Sequence, residues 1–302
     1  MIPSSSIKMD IVKPCLKWVG GKTQIITDVL SHFPKEITNY FEPFVGGGSV
    51  LFAFLSYVKA EKITLSGKVY ASDFNPLLID LYKEIQSNPA KLIADVKQLQ
   101  NVYTRCTGTT VNRAPTTLLE AMSSQESFYY WIRSKFNESP SSAMFLFLNK
   151  TCFRGVYREG PHGFNVPYGH YTNPSILDDD HIYTLSSLIK DVVFYYASFT
   201  ESLLHPNAGD FVYLDPPYAP ETATSFVGYT ADGFDDCHAS LFTMCHTLSK
   251  KGVKFLMSNA DVKLVKDAFP APPYTTTIIS CKRSIDSKDP SKRTNEVLVK
   301  NY

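Results

Sequence analysis

The sequence contains no long apolar run. No segment approaches the roughly 18 consecutive apolar residues of a membrane span, and the opening residues MIPSSSIKMDIVK lack the apolar core of a signal peptide. We therefore expect neither a membrane span nor secretion. The sequence predicts an intracellular protein.

Cysteine pairs with the spacing of metal ligands are also absent. None of the six cysteines forms a C-x-x-C pair; they are Cys15, Cys106, Cys152, Cys237, Cys245 and Cys281. Scattered cysteines are typical of reduced thiols inside a cell and not of a disulfide framework. The same spacing argues against a zinc site, and we predict no bound metal.

Neither sign of charge dominates the composition. The net charge is +1, so the field of the whole protein does not indicate a polyanionic partner. Two segments are nevertheless locally basic. Residues 150–171 carry Lys150, Arg154 and Arg158 among aromatic residues, and residues 281–300 hold six lysines and arginines against three acidic residues. The second segment is predicted to clamp phosphates or to form solvated surface.

Two common nucleotide-binding patterns are incomplete. The pattern G-x-x-x-x-G-K-[ST] fits Gly21-Lys22-Thr23 at its end, but Leu16 stands where its first glycine belongs. This disfavours a nucleoside triphosphatase, a hypothesis that ATP turnover would restore. Gly46, Gly47 and Gly48 separate a predicted strand from a predicted helix but lack the G-x-G-x-x-G spacing. A tight turn explains them about as well as a nucleoside-binding loop does.

Strand and helix patterns alternate in the first and last parts of the chain. NYFEPF and KVYASDF are predicted strands, each followed by a helix, and Asn75-Pro76 is typical of a helix start. FVYLDPPY and VKFLMSN are predicted strands on either side of a helix over residues 235–250, and TTTIIS and EVLVKNY are two further strands. This alternation predicts an α/β fold with a doubly wound, mostly parallel sheet.

The middle of the chain has a different pattern. Residues 88–148 show helical periodicity throughout, whereas residues 151–175 are rich in glycine, proline, asparagine and aromatic residues. The second segment predicts a long structured loop or a hairpin. We therefore predict a mainly helical domain inserted into the sheet domain, with the sheet domain at residues 1–76 and 176–302 and the insertion at residues 77–175.

Asp73 ends the second predicted strand, 27 residues beyond Gly46. An acidic side chain at this place can accept hydrogen bonds from both hydroxyls of a ribose. It could equally cap the helix that starts near Pro76, and both roles are compatible with each other.

The tetrapeptide Asp215-Pro216-Pro217-Tyr218 is the most specific pattern in the chain. The prolines lack N–H groups and hold their predecessors extended, so this strand end offers only acceptors: the Asp215 carboxylate and the Pro216 carbonyl. A planar –NH₂ group with two donors would fit them, and Tyr218 supplies a ring on which a flat heterocycle could stack. The alternative is a structural Pro-Pro turn.

Several motifs in a fixed order carry a resemblance. KWVGGK, FEPFVGGGS, VYASDFN, FLNKTCFRGVYREGPHGFNVPYGHY, YLDPPYAP and KRSID follow one another from about residue 14 onwards. In kind and order they resemble the Dam-type, or alpha-group, DNA adenine-N6 methyltransferases. The resemblance implies a Rossmann-like methyltransferase sheet with an inserted target-recognition domain.

The resemblance also implies ligands and site residues. The cofactor would be S-adenosylmethionine, and the substrate a double-stranded DNA from which the target adenine is flipped out. At the cofactor it implies Trp18, Lys22, Gly46, Gly48, Asp73 and Asp215. At the target adenine it implies Asp215, Pro216, Pro217 and Tyr218, and at the DNA it implies Arg154, Arg158, Asn165, Pro167 and Tyr168. A cognate restriction endonuclease acting on the same site is compatible with this family.

The resemblance makes residues 149–173 the DNA-recognition segment, and this segment departs from that of the best-known GATC methylases. Those enzymes have N-G-L-x-R-x-N before the F-N-V-P hairpin, whereas Arg154 replaces the asparagine here and Gly160-Pro161 follows Arg158. Relatives with the R-G-x-x-R-x-G-P pattern suggest an ATG-containing site such as CATG, which we favour over GATC. Alternatives are methylation of another planar amine (cytosine N4, RNA adenine or a protein glutamine) and a DNA-binding relative without activity. The aspartate before the two prolines favours adenine.

Overall fold

The computed structural model describes residues 11–220, 237–282 and 293–302, excluding the side chains of residues 281, 282 and 293. The strands in these ranges are β1 (Glu36–Ile37), β2 (Tyr40–Glu42), β3 (Thr64–Leu65), β4 (Val69–Asp73), β5 (Glu159–Gly160), β6 (Gly163–Phe164), β7 (Val192–Tyr196), β8 (Phe211–Leu214), β9 (Lys254–Ala260), β10 (Thr275–Lys282) and β11 (Arg293–Lys300). The helices are α1 (Ile26–Ser31), α2 (Ser49–Lys59), α3 (Pro76–Ser87), α4 (Pro89–Arg105), α5 (Leu118–Ala121), α6 (Gln125–Glu138), α7 (Ser142–Thr151), α8 (Asp179–Leu188), α9 (Phe199–Ser202), α10 (Cys237–Lys250) and α11 (Lys263–Ala268).

Seven strands form the central sheet in the order β10-β11-β9-β8-β2-β4-β7. The five strands from β9 to β7 run parallel, whereas β11 is antiparallel to both β9 and β10. If the five parallel strands are numbered along the chain and read across the sheet from β7 to β9, their order is 3-2-1-4-5. This order reverses direction between β2 and β8. This is the arrangement of a Rossmann-like fold, and it confirms the predicted α/β architecture.

The local sequence explains where the first helices begin. Gly48 adopts a φ of 75° just before α2, a left-handed conformation that favours glycine. Before α3, the Asn75 side chain accepts a hydrogen bond from the backbone N–H of Leu77, and Pro76 occupies the first helical position. The predicted cap at this helix is therefore confirmed.

The helical block predicted for residues 88–148 is confirmed as α4 to α7. Buried side chains of these helices, among them Val96, Phe128 and Phe147, share one continuous hydrophobic core with Tyr82 of α3 and Phe52 of α2. Helix α3 itself packs against β4 and β7 and so belongs to the layers of the sheet. The domain boundary at residue 77 remains a prediction.

The segment after α7 contains a short hairpin, as its composition predicts. A 3₁₀ turn at Phe153–Gly155 leads into β5 and β6, which pair Glu159 with Phe164 and Gly160 with Gly163. An antiparallel bridge between Cys152 and Tyr168 closes the base of the segment. No helix in the described ranges has the length and apolar character that a membrane crossing requires.

Candidate active site

A cavity of about 1350 Å³ lies where the parallel strands β2, β4 and β8 end. Glu42, Asp73 and Asp215 reach it from the ends of these strands, and Tyr157 and Glu159 line it from the inserted segment. A pocket for one small ligand measures roughly 300–1,000 Å³, so this cavity has room for more than one. It also lies at the point where the strand order reverses, which is where ligands bind in open α/β sheets.

Asp215 forms a partly buried ion pair with Lys22. Lys22 Nζ lies 2.7 Å from Asp215 Oδ2, and the lysine side chain is 4% exposed. The ammonium also donates to the Gly20 carbonyl oxygen at 2.9 Å, and Ser49 Oγ accepts from the Lys22 backbone N–H. Burial raises the pKa of Asp215, and the neighbouring Lys22 charge counteracts this shift. Lys22 of the first motif, KWVGGK, is thus the ion-pair partner of Asp215.

The residues after Asp215 are held by hydrogen bonds from two neighbouring strands. The Tyr218 hydroxyl donates to Glu296 Oε2 of β11 at 2.8 Å, and Asn259 Oδ1 of β9 accepts from the Ala219 backbone N–H at 2.9 Å. The Tyr218 ring lies 5.0 Å from Lys22 Nζ. The ring and the Asp215 carboxylate both line one cavity.

Asp73 organises the glycine turn. Its Oδ2 accepts from the Gly46 N–H and its Oδ1 from the Asn75 N–H, both at 2.9 Å, while Tyr82 donates to the Gly46 carbonyl at 2.6 Å. The cap of α3 is Asn75, as predicted, and the alternative role of Asp73 as the cap is therefore ruled out. Burial raises the pKa of Asp73 to about 6.

The glycines of the turn make room for two aromatic side chains. A Cβ at Gly47 would lie 2.7 Å from Trp18 Cβ, one at Gly46 3.1 Å from the Trp18 indole, and one at Gly48 2.6 Å from the Phe52 ring. Trp18 thus packs directly on the turn and lines the cavity. The indole is also stacked with the ring of Tyr157 at 5.8 Å and contacts the ring of Phe145 edge-on at 6.2 Å.

Glu42 and Glu296 line the cavity although the sequence analysis did not identify them. Glu42 is 2% exposed, accepts a hydrogen bond from Tyr40 at 2.5 Å, and has its pKa raised by burial to about 8. An acidic residue that ends a buried strand just before a glycine turn was the available signal for Glu42. No local sequence pattern identifies Glu296 as a site residue. It lies on β11, the last strand, and reaches the cavity only through the pairing of the sheet.

Comparison with known proteins identifies the family. Residues 18–284 match the model of the D12 class N6 adenine-specific DNA methyltransferases. The chain belongs to this family. A type II methyltransferase of Methanocaldococcus jannaschii is 34% identical, with 96% of this chain and 99% of the relative covered. A type II methyltransferase of Lactococcus lactis is 28% identical (96% and 96%), and the retron Ec67 DNA adenine methylase of Escherichia coli is 32% identical (94% and 90%).

The family assignment decides between several interpretations of the sequence. It makes this chain a DNA adenine methyltransferase, in agreement with the resemblance and with the incomplete phosphate-binding pattern at Gly21-Lys22. It favours adenine among the planar amines considered, and an enzyme over an inactive DNA-binding relative.

Of the five residues predicted to bind DNA, four are exposed to solvent and one is buried. Arg154, Arg158, Asn165 and Pro167 are exposed, and Arg158 Nε donates to Asn165 Oδ1 at 2.7 Å. Tyr168 is 7% exposed and its hydroxyl pairs with that of Tyr103 at 2.6 Å, so its side chain packs beneath this surface.

The second basic segment cannot be placed in the same way. The predicted phosphate clamp of Lys282, Arg283, Lys292 and Arg293 lies outside the residues and side chains that the structure describes.

Proposed function

We propose that this methyltransferase transfers a methyl group from S-adenosylmethionine to N6 of an adenine that is flipped out of duplex DNA into the cavity. The observation that carries the proposal is the common cavity of Asp215, Pro216 and Tyr218 with Asp73 and the glycine turn. Its volume suits two ligands, a nucleoside-containing donor and a base.

The cavity residues fit the donor. Asp73 lines the cavity, and its carboxylate can accept from the hydroxyls of a ribose beside the backbone N–H groups of Gly46 and Asn75 that it already holds. Even without Glu42, whose pKa is raised by burial to about 8, carboxyl groups outnumber cations among the described lining residues, with Asp73, Glu159, Asp215 and Glu296 against Lys22. Such a balance suits a cationic ligand, and the donor, when bound, supplies an electrophilic methyl group on a sulfonium.

Asp215 and Pro216 prepare the amine for reaction. The target adenine must leave the helix stack, at a cost of a few kcal/mol. The Asp215 carboxylate and the Pro216 carbonyl then accept the two N6 hydrogens, which localises the lone pair on nitrogen. Lys22 favours the ionised form of Asp215 that this role requires. The Tyr218 ring stacks on the base, a contact worth roughly 1–3 kcal/mol.

Arg158 is the proposed reader of a guanine. Its hydrogen bond to Asn165 orients the guanidinium, whose Nη groups can then reach O6 and N7 of the base, worth roughly 1–3 kcal/mol of discrimination. Arg154 adopts a left-handed φ of 56°, a conformation in which asparagine is enriched. The asparagine of GATC methylases and Arg154 can therefore share one backbone shape while presenting different side chains. The R-G-x-x-R-x-G-P pattern of residues 154–161 is what favours CATG over GATC.

The test is transfer of labelled methyl groups from S-adenosylmethionine to unmethylated duplex DNA, followed by sequencing of the modified positions. We expect N6-methyladenine at one short site, abolished in Asp215→Ala and retained in Asp191→Ala, a matched change at an exposed aspartate. Modification at CATG supports the proposed reading of Arg154 and Arg158, and modification at GATC contradicts it. If the wild-type protein does not bind S-adenosylmethionine, the whole proposal is overturned.

A further inference from the structure

Glu296 reaches the active site from β11. This strand lies between β9 and β10 and is hydrogen-bonded on both sides, with Glu296 opposite Ala260 of β9 and Ile279 of β10. Its carboxylate lines the cavity and accepts the Tyr218 hydroxyl at 2.8 Å. Glu296 is thus fixed by the sheet, although it follows Tyr218 by 78 residues.

This contact determines what Tyr218 can offer a substrate. The Tyr218 hydroxyl donates to Glu296, and it also lies close enough to Asp215 to lower the pKa of that carboxyl group. The next residue, Ala219, is held by Asn259 of β9. The backbone and the far end of the Tyr218 side chain are therefore both attached to the sheet, and the ring cannot swing out of its place without breaking a hydrogen bond.

We propose that Glu296 is a positioning residue for methyl transfer, which holds the Tyr218 ring at the place where it stacks on the target adenine. Tyr218 then contributes its ring face to the base, while its hydroxyl is held by Glu296. This inference rests on the proposed role of Asp215, Pro216 and Tyr218 as the adenine site.

Glu296 also acts on Asp215 through its charge, and this effect is separable from positioning. Burial raises the pKa of Asp215 most, Lys22 and the Tyr218 hydroxyl lower it, and Glu296 raises it. Replacing Glu296 with glutamine removes the negative charge and retains an acceptor oxygen. The pKa of Asp215 then falls, so the acidic limb of the activity profile moves to lower pH.

The experiment measures kcat and KM for a duplex substrate with Glu296→Ala, Glu296→Gln, Tyr218→Phe and the double variant Tyr218→Phe/Glu296→Ala. Glu36→Gln, an exposed glutamate outside the cavity lining, is the matched control. Melting temperatures establish that each variant folds. The wild type and Asp215→Ala are assayed alongside, so that failure of the adenine site is recognised separately from failure of the role of Glu296.

We expect Glu296→Ala to lower kcat by about 10- to 100-fold, since small displacements of positioning groups have effects of this size, with KM for DNA nearly unchanged. In the Tyr218→Phe background the same change should lower kcat no further, because the hydrogen bond is already absent. Glu296→Gln should retain most of the plateau kcat and shift the acidic limb to lower pH.

Two results would overturn the proposal while the adenine site itself stands. One is a Glu296→Ala enzyme with wild-type kcat. The other is full additivity of Glu296→Ala and Tyr218→Phe, which would show that Glu296 acts independently of the phenol. If the wild type does not methylate adenine, or if Asp215→Ala remains active, the proposed adenine site fails first.

Discussion

At the scale of single residues, Glu42 has the most unusual chemistry in the site. It lies buried at the end of β2, and Tyr40 donates to it at 2.5 Å. Burial raises its pKa from 4.5 to about 8, so the carboxyl group keeps its proton at neutral pH in the folded protein. A neutral carboxyl group placed among Asp73 and Asp215 limits the repulsion between these acids.

This raised pKa predicts how stability depends on pH. Between the unfolded and folded pKa values of Glu42, the folded state binds the proton and the unfolded state does not. The contribution of Glu42 is therefore fully present below pH 4.5 and is lost as pH rises through about 8, at about 1.4 kcal/mol per unit of pH. Glu42→Gln, which keeps an acceptor for Tyr40, should remove this dependence.

The measurement is the free energy of unfolding by denaturant at pH 5 and pH 8 for the wild type, Glu42→Gln and the exposed control Glu36→Gln. The wild type and the control should lose more stability between these two pH values than Glu42→Gln does. Equal losses in all three proteins would mean that Glu42 is ionised in the folded state.

Residues of the site differ in how far the sequence predicts them. Asp215 and Tyr218 belong to a rigid tetrapeptide whose chemistry is local, so the sequence alone indicates an acceptor and a stacking ring there. The ion pair between Lys22 and Asp215 was not predicted, because 193 residues separate the two and a linear pattern contains no distances. The same limit applies to Glu296.

At the scale of elements, the β5–β6 hairpin is built to orient one arginine. Arg158 precedes β5, Asn165 follows β6, and their side chains are joined across the hairpin at 2.7 Å. The backbone N–H of Asn165 also donates to the Arg158 carbonyl at 3.1 Å. Asn165 thus orients Arg158 and does not need to touch a base itself.

Arg158→Ala should lose about 1–3 kcal/mol of selectivity between base pairs at one position of the site, which corresponds to about 5- to 150-fold in kcat/KM. Asn165→Ala should weaken selectivity at the same position by a smaller amount, because Arg158 is still present but is no longer oriented. Substrates with each base pair of the site changed in turn measure this, with Arg105→Ala as the exposed control. Relaxed specificity at different positions in the two variants would contradict the coupling.

Sequence patterns predicted elements best where capping or glycine residues mark their ends. The glycine turn before α2 and the Asn75 cap of α3 are examples. The edge strand β7 was not identified, because VVFYY is a short apolar run that fits a buried helix segment as well as a strand. Its pairing with β4 is a tertiary contact that the local sequence does not encode.

At the scale of the whole molecule, an aromatic column joins the recognition segment to the glycine turn. The rings of Phe164, Tyr157 and Trp18 are stacked in succession, at 5.6 Å and 5.8 Å between centroids. Trp18 in turn packs on Gly46 and Gly47. The hairpin and the proposed donor site are therefore in continuous contact.

Tyr157→Ala should weaken donor binding although Tyr157 belongs to the recognition segment. Removing the ring breaks two stacked pairs, each worth about 0.5–1.5 kcal/mol, and leaves Trp18 with the edge contact of Phe145 as its remaining described ring contact. Calorimetry of S-adenosylmethionine binding without DNA should show a several-fold loss of affinity. Tyr183→Ala, at a half-exposed tyrosine of α8, is the control. Unchanged affinity would show that the column does not support the donor site.

The position of β11 within the sheet has a consequence for how the enzyme is made. Lys22 comes from the early part of the chain and Glu296 from the strand inserted between β9 and β10, and both bear on the Asp215–Tyr218 pair. A ribosome that has not yet translated residue 296 holds a chain whose Tyr218 hydroxyl lacks the carboxylate that accepts its hydrogen bond. Methylation by such a nascent chain should therefore be slower than methylation by a chain that includes this strand.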